Sequence, residues 1–149
     1  MEEAYIYDTV RSPRGKGKKG SLNELSAVTL SAKILKELRE RNSLNTEEIE
    51  DVIWGNVTQV GEQGGCLARS AVIAANYSES TPGLSINRFC ASGLEAVNLA
   101  TNQVKGSAGN AYVAGGVEMM SRVPMGSDGA AIAVDPTLAM NSYFVPQGI

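Results

Sequence analysis

Residues 84–106 read LSINRFCASGLEAVNLATNQVKG, and the hydrophobic period changes in the middle of this stretch. Leu84 to Phe89 reads as a strand. Cys90-Ala91-Ser92-Gly93 then opens a helix, which ends near Lys105-Gly106, a cation and a glycine where a helix C-terminus favours them. A cysteine at a strand-to-helix junction sits beside unpaired backbone N–H groups and the positive end of the helix dipole. Those favour the thiolate and lower the thiol pKa, which is how reactive cysteines arise. Ser92 and Gly93 keep the first helical turn small enough for close approach by a substrate. The ordinary alternative is a buried structural cysteine. The helix carries few charges and many small residues, so it is expected to be buried on most of its surface.

The same alternation extends outward in both directions. Downstream, Ala111–Ala114 is strand-like and stops at Gly115-Gly116. Upstream, Asp51–Val57 is a strand, Gly61, Gly64 and Gly65 lead into an alanine-rich helix over Leu67–Asn76, and Ser80–Gly83 is a turn. Nearest the N-terminus, Ala4–Val10 is rich in aromatic and β-branched residues and ends before Ser12-Pro13. Ser21-Leu22-Asn23-Glu24 has the form of a capping box. Leu25, Val28, Ala32, Leu35 and Leu38 follow at helical spacing to about Arg41. The expected order is β-α-β-α-β-α-β over about 115 residues, an α/β fold with a mostly parallel sheet and right-handed crossovers. After Gly116 no period is visible, and four of the five methionines and three of the five prolines fall there. Residues 1–118 therefore read as an α/β domain and 119–149 as the opening of a second, irregular subdomain. Methionine-rich irregular chain suits an adaptable binding wall, with Met119, Met120, Met125, Tyr143 and Phe144 as candidate substrate contacts.

Composition removes several function classes. The chain has 149 residues, 43% of them apolar, enough for one domain with a core that needs no disulfides. No apolar run approaches the roughly 20 residues of a membrane span, and the acidic N-terminus is not a secretory signal. A net charge of −3 argues against nucleic acid as the main partner. Cys66 and Cys90 lack metal-ligand spacing and read as cytosolic thiols, so a cytoplasmic location is expected and no metal. Cys66, next to Leu67 and Ala68, reads as a packing residue. There are 0 histidines, which excludes any His-dependent catalytic dyad, triad or metal site built wholly within the chain. Arg11, Arg14, Lys16, Lys18 and Lys19 place five of the thirteen basic residues in nine positions. Within them Gly15–Gly20 matches GxGxxG, but Pro13 and three lysines spoil the compact strand-to-helix turn that a dinucleotide loop needs. Without a secretory signal, the sequons at Asn56 and Asn76 carry no meaning.

Ser85-Ile86-Asn87-Arg88-Phe89-Cys90-Ala91-Ser92-Gly93-Leu94-Glu95-Ala96-Val97 closely resembles the nucleophile motif of the thiolases. Arg11-Ser12-Pro13-Arg14-Gly15 resembles the family's N-terminal Arg-Thr-Pro segment. Ala114-Gly115-Gly116-Val117-Glu118-Met119-Met120-Ser121 resembles its AGG-x-E-x-MS segment. The three occur in family order. The resemblance implies the N-terminal half of a thiolase, with the helix after Cys90 as a buried central layer and a loop domain that covers coenzyme A beginning near Met119. It implies Claisen condensation of two acetyl-CoA or thiolytic cleavage of a 3-ketoacyl-CoA. Cys90 is then the nucleophile that takes an acyl group as a thioester, with an oxyanion donor from the backbone around Cys90, Ala91, Ser92 and Gly93. No permanently bound cofactor is implied; acyl-CoA is substrate. The family's catalytic histidine and second catalytic cysteine belong to the C-terminal half, so a complementary half on another chain, or a homo-oligomer, is the implied partner. Asn87-Arg88-Phe89 before the cysteine is more similar to degradative than to biosynthetic members.

Two other readings compete. One is an inactive thiolase-like module that only binds acyl-CoA or a partner subunit, motivated by the missing histidine. The other is a nucleotide-binding domain using Gly15–Gly20, which rests on a lone glycine pattern.

Overall fold

Three short runs of β-branched and small residues pair side by side as a parallel sheet. In the computed structural model, which describes residues 3–129 and 135–137, these are β1 (Asp51–Gly55), β2 (Gly83–Ile86) and β3 (Tyr112–Gly116). Their order is β2-β1-β3, with Val52 opposite both Gly83 and Val113. Helices α1 (Ala27–Arg41), α2 (Leu67–Ala74) and α3 (Ser92–Lys105) connect or precede them. The central strand is buried from Val52 to Gly55 because helices cover both of its faces.

The period of two along the strands sorts the core into two layers. Val52, Trp54 and Val113 pack with α1 and α2 through Ala27, Leu35, Leu67, Ala71 and Val72. Ile53 faces the other way, onto Ala96 and Ala100 of α3, with Ile86, Tyr112 and Ala114 beside it. Two buried hydrogen bonds tie α1 into its layer. Trp54 Nε1 donates to Ser31 Oγ at 3.0 Å, and Tyr77 Oη donates to the Leu35 carbonyl at 2.9 Å.

The expected first strand does not form. Ala4–Val10 is irregular, so the described order is α-β-α-β-α-β with three strands. A strand needs a ladder partner and a face to bury, and here Tyr5, Ile6 and Tyr7 are 67%, 76% and 93% exposed. With β3 and parts of α1 and α3, this segment lines a cleft of about 1130 Å³.

The Ser21–Glu24 capping box is not used either. Leu22 to Leu25 close as turns, and α1 starts later, where Ser26 Oγ accepts from Thr29 N at 3.1 Å. Ser26, in extended conformation one residue before the buried Ala27, caps the helix in place of the earlier box. Gly15–Gly20 likewise forms a turn well ahead of α1, not a helix start. At the other end of the sheet, Gly115 and Gly116 lie inside β3 because a side chain there would strike Trp54 and the Gly55 carbonyl. Finally, α3 buries one face only, through Ser92, Ala96 and Ala100. Its opposite face, with Leu94 at 65% exposure, points outward because nothing among the described residues covers it.

Candidate active site

Cys90 lies in the five-residue connection between β2 and α3, two residues before the first helical residue. It is exposed and forms no disulfide. The connection is held by its own side chains. Asn87 Oδ1 accepts from Phe89 N at 2.8 Å, and Ser92 Oγ accepts from Arg88 N at 2.8 Å while donating to the Phe89 carbonyl at 2.5 Å. Ala91 N and Ser92 N donate to the Arg88 and Phe89 carbonyls. This tight path forces Phe89 into the left-handed region, φ +47°. A non-glycine residue held there stores of the order of 1–3 kcal/mol and persists only where its surroundings over-determine it.

Two small residues let α3 begin directly above the sheet. A Cβ on Gly55 would stand 2.5 Å from the Ser92 carbonyl carbon and 2.6 Å from Gly93 N. Ser92 is buried and fills the junction, whereas a Cβ on Gly93 would meet nothing within 4 Å, so space is open on that side of the first turn. The N-cap residue Ala91 offers no side-chain cap. With Ala91 N and Ser92 N committed to the turn, what the helix start offers an anion near Cys90 is the positive end of its dipole, which no side chain caps. Arg88 and Glu95 form an ion pair of 3.2 Å on the rim.

A second group of side chains, not singled out from sequence, lies where the three strands end. The Glu118 carboxylate follows β3 and accepts four donors. Its Oε2 takes Val57 N at 2.8 Å and Asn56 Nδ2 at 3.4 Å; its Oε1 takes Gln63 Nε2 at 2.8 Å and Thr58 N at 3.3 Å. Gln63 is fully buried and its Oε1 accepts from Met119 N at 2.7 Å. Asn56, whose sequon reading carried no meaning, is also fully buried. The only hint of this role was the placement of Glu118 in the quoted AGG-x-E segment.

The other sequence candidates separate. Met119 is buried in the core beside this network, while Met120 and Met125 are 55% and 71% exposed. Tyr143 and Phe144 lie outside the described residues. Cys66 is the left-handed N-cap of α2, φ +61°, and its Sγ donates to the Gly83 carbonyl at 3.2 Å. It is exposed, not packed as its neighbours suggested. Among the described residues no cluster of His, Cys, Asp or Glu is arranged to hold a metal ion. No described helix is long and apolar enough to cross a membrane.

Residues 4–145 match the family described as thiolase, N-terminal domain. The chain is 41% identical over 142 residues to a 3-ketoacyl-CoA thiolase of Colwellia psychrerythraea, covering 95% of this chain and 36% of that protein. A 3-ketoacyl-CoA thiolase of Pseudoalteromonas atlantica is 40% identical over 126 residues, 84% of this chain and 33% of its own length. Among solved structures, the acetyl-CoA acetyltransferase of Bacillus anthracis superposes with a TM-score of 0.64 at 33% identity, over 68% of this chain and 26% of that one. The chain thus spans about a third of the length of the relatives it matches. A cysteine on a strained strand-to-helix corner, the carboxylate beyond β3 and the match over nearly the whole sequence agree: the chain belongs to the thiolase family.

Proposed function

We propose that Cys90 is the acyl-accepting nucleophile of a thiolase whose acid–base machinery lies outside this chain. The observation that carries the reading is the exposed thiol beside the uncapped start of α3, in a chain of this family. In the cleavage direction the Cys90 thiolate adds to the C3 ketone carbonyl of a 3-ketoacyl-CoA. The oxyanion of the tetrahedral adduct is stabilised by the backbone of the Cys90–Gly93 corner and the positive end of the α3 dipole, Ala91 N and Ser92 N being held by the turn itself. The adduct collapses by breaking the C2–C3 bond; the acetyl-CoA enolate leaves and takes up a proton at C2, and an acyl thioester remains on Sγ. Attack by coenzyme A thiol then releases acyl-CoA. The relatives named 3-ketoacyl-CoA thiolase support cleavage of 3-ketoacyl-CoA as the working direction. Without histidine, proton transfer to and from these groups falls to a C-terminal half, on another chain or in the longer protein, and the assembly is an oligomer. Residues 1–118 are the nucleophile domain. Residues 119–149 begin the part that covers coenzyme A, with Met120 and Met125 on the acyl path and Met119 anchoring it. Acyl-CoA serves as substrate with no resident cofactor, in the cytoplasm.

Chloroacetamide labelling with peptide mapping tests the nucleophile. Faster modification of Cys90 than of Cys66 near neutral pH, slowed by acetyl-CoA, is expected; equal slow labelling overturns the reading. Robust thiolysis of a 3-ketoacyl-CoA by the 149-residue chain alone overturns the need for a second half.

A further inference from the structure

We infer that Glu118 is a positioning residue for the Cys90 turn, acting through a hydrogen-bonded relay across the three strand exits. This rests on the reading of Cys90 as nucleophile. The relay is continuous. Glu118 Oε2 accepts from Val57 N at 2.8 Å, and the Val57 carbonyl accepts from Asn87 Nδ2 at 3.2 Å. Asn87 Oδ1 then accepts from Phe89 N at 2.8 Å, which is the residue before the thiol and the one held at φ +47°. Backbone bonds run alongside: Asn56 N to the Ile86 carbonyl at 2.9 Å and Val117 N to the Gly55 carbonyl at 3.0 Å. A strained turn keeps its geometry only while its surroundings hold it. Beside the turn's own bonds through Ser92, the surroundings include one carboxylate that draws the 56–63 connection against the end of β3, so that Val57 presents its carbonyl to Asn87.

Each oxygen of Glu118 accepts two donors, so Glu118→Gln must turn an NH2 group onto two of them whichever way the amide is set. The side chain keeps its shape while half the bonds are lost. Asn87→Ser cuts the relay elsewhere. It retains an acceptor for Phe89 N but removes the donor to Val57, at an exposed position with little bearing on stability.

The test measures alkylation of Cys90 against Cys66 in the same chain across pH, together with amide exchange of residues 87–92, for wild type, both variants and the double variant. A Ser26→Ala variant, which loses the α1 cap, controls for general destabilisation. Both relay variants are expected to lower the Cys90-to-Cys66 rate ratio by about five- to ten-fold, move the Cys90 profile to higher pH and speed exchange at 87–92. The double variant is expected to be no worse than the more damaging single, because both cut one chain of bonds. The control should leave the ratio unchanged. Unchanged ratio and exchange in Asn87→Ser, or additive effects in the double variant, overturn the proposal even should Glu118→Gln not fold. If exchange rises but wild-type Cys90 reacts no faster than Cys66, the tether stands as architecture. The nucleophile reading then fails, and the positioning role with it.

Discussion

A methyl group on Gly55 has nowhere to go. Gly55→Ala drives a carbon into the backbone of Ser92 and Gly93, so α3 must lift from the sheet. A loss of about 1–3 kcal/mol in urea denaturation is expected, together with slower Cys90 alkylation. Ser31→Ala strands the buried Trp54 N–H and should cost about 1–3 kcal/mol by the same measurement without altering Cys90. Two carboxylates give opposite pH responses. Burial raises the Asp51 pKa, and one of its oxygens has no partner among the described residues. Its folded pKa lies above its unfolded one, so its contribution is favourable at acid pH and is lost as pH rises. Asp51→Asn should therefore raise the neutral-pH denaturation midpoint and flatten its acid dependence. The hydrogen bond from Arg122 lowers the Glu62 pKa, so its stabilisation is present above the unfolded carboxylate range and fades as pH falls through the folded value. At this scale Cys90 was legible, because a helix start is a local signal. Glu118 was not, because its donors lie 55 to 62 residues away in sequence and nothing local marks a carboxylate that meets four N–H groups.

Among the elements, α2, α3 and the three strands were legible from their periods, although Gly115 and Gly116, expected to stop β3, lie inside it. Two elements were not. Tyr5-Ile6-Tyr7 has strand chemistry, yet composition cannot say whether a ladder partner is present. The capping box at Ser21–Glu24 reads as the start of α1, but the helix begins at Ala27, with Ser26 as its cap and Ala27 buried. The small, weakly charged make-up of α3 implies burial on most of its surface, and the described residues bury one face. Leu94→Glu on the uncovered face should leave the stability of the 149-residue chain within about 0.5 kcal/mol while reducing self-association, measured by denaturation and light scattering. The turn after Met119 is pinned separately. Arg122 grips both oxygens of Glu62, at 2.6 and 2.9 Å, and also reaches the Asn23 carbonyl. Half-exposed pairs of this kind are worth about 1 kcal/mol or less, so Arg122→Ala should act on proteolysis of the 119–129 segment more than on the denaturation midpoint.

For the molecule as a whole, the sequence lacks the side chain that most often moves protons near neutral pH. Supplying a histidine-bearing thiolase C-terminal half should raise thiolysis by orders of magnitude, and Cys90→Ser should abolish the gain, both measured by consumption of free coenzyme A thiol. All three strands run the same way, so their exits meet at one end of the sheet, where Glu118, Asn56, Gln63 and Asn87 lace them together. Each end carries one uncompensated side-chain oxygen among the described residues, Asp51 Oδ1 at the entrance and Asn56 Oδ1 at the exits, but the side-chain lacing lies at the exits. Stiffness is therefore graded along the sheet by that lacing. Thermal fraying should begin at the Asp51, Gly83 and Tyr112 end and die out toward the exits, so the thiol rides on the least compliant edge of the molecule.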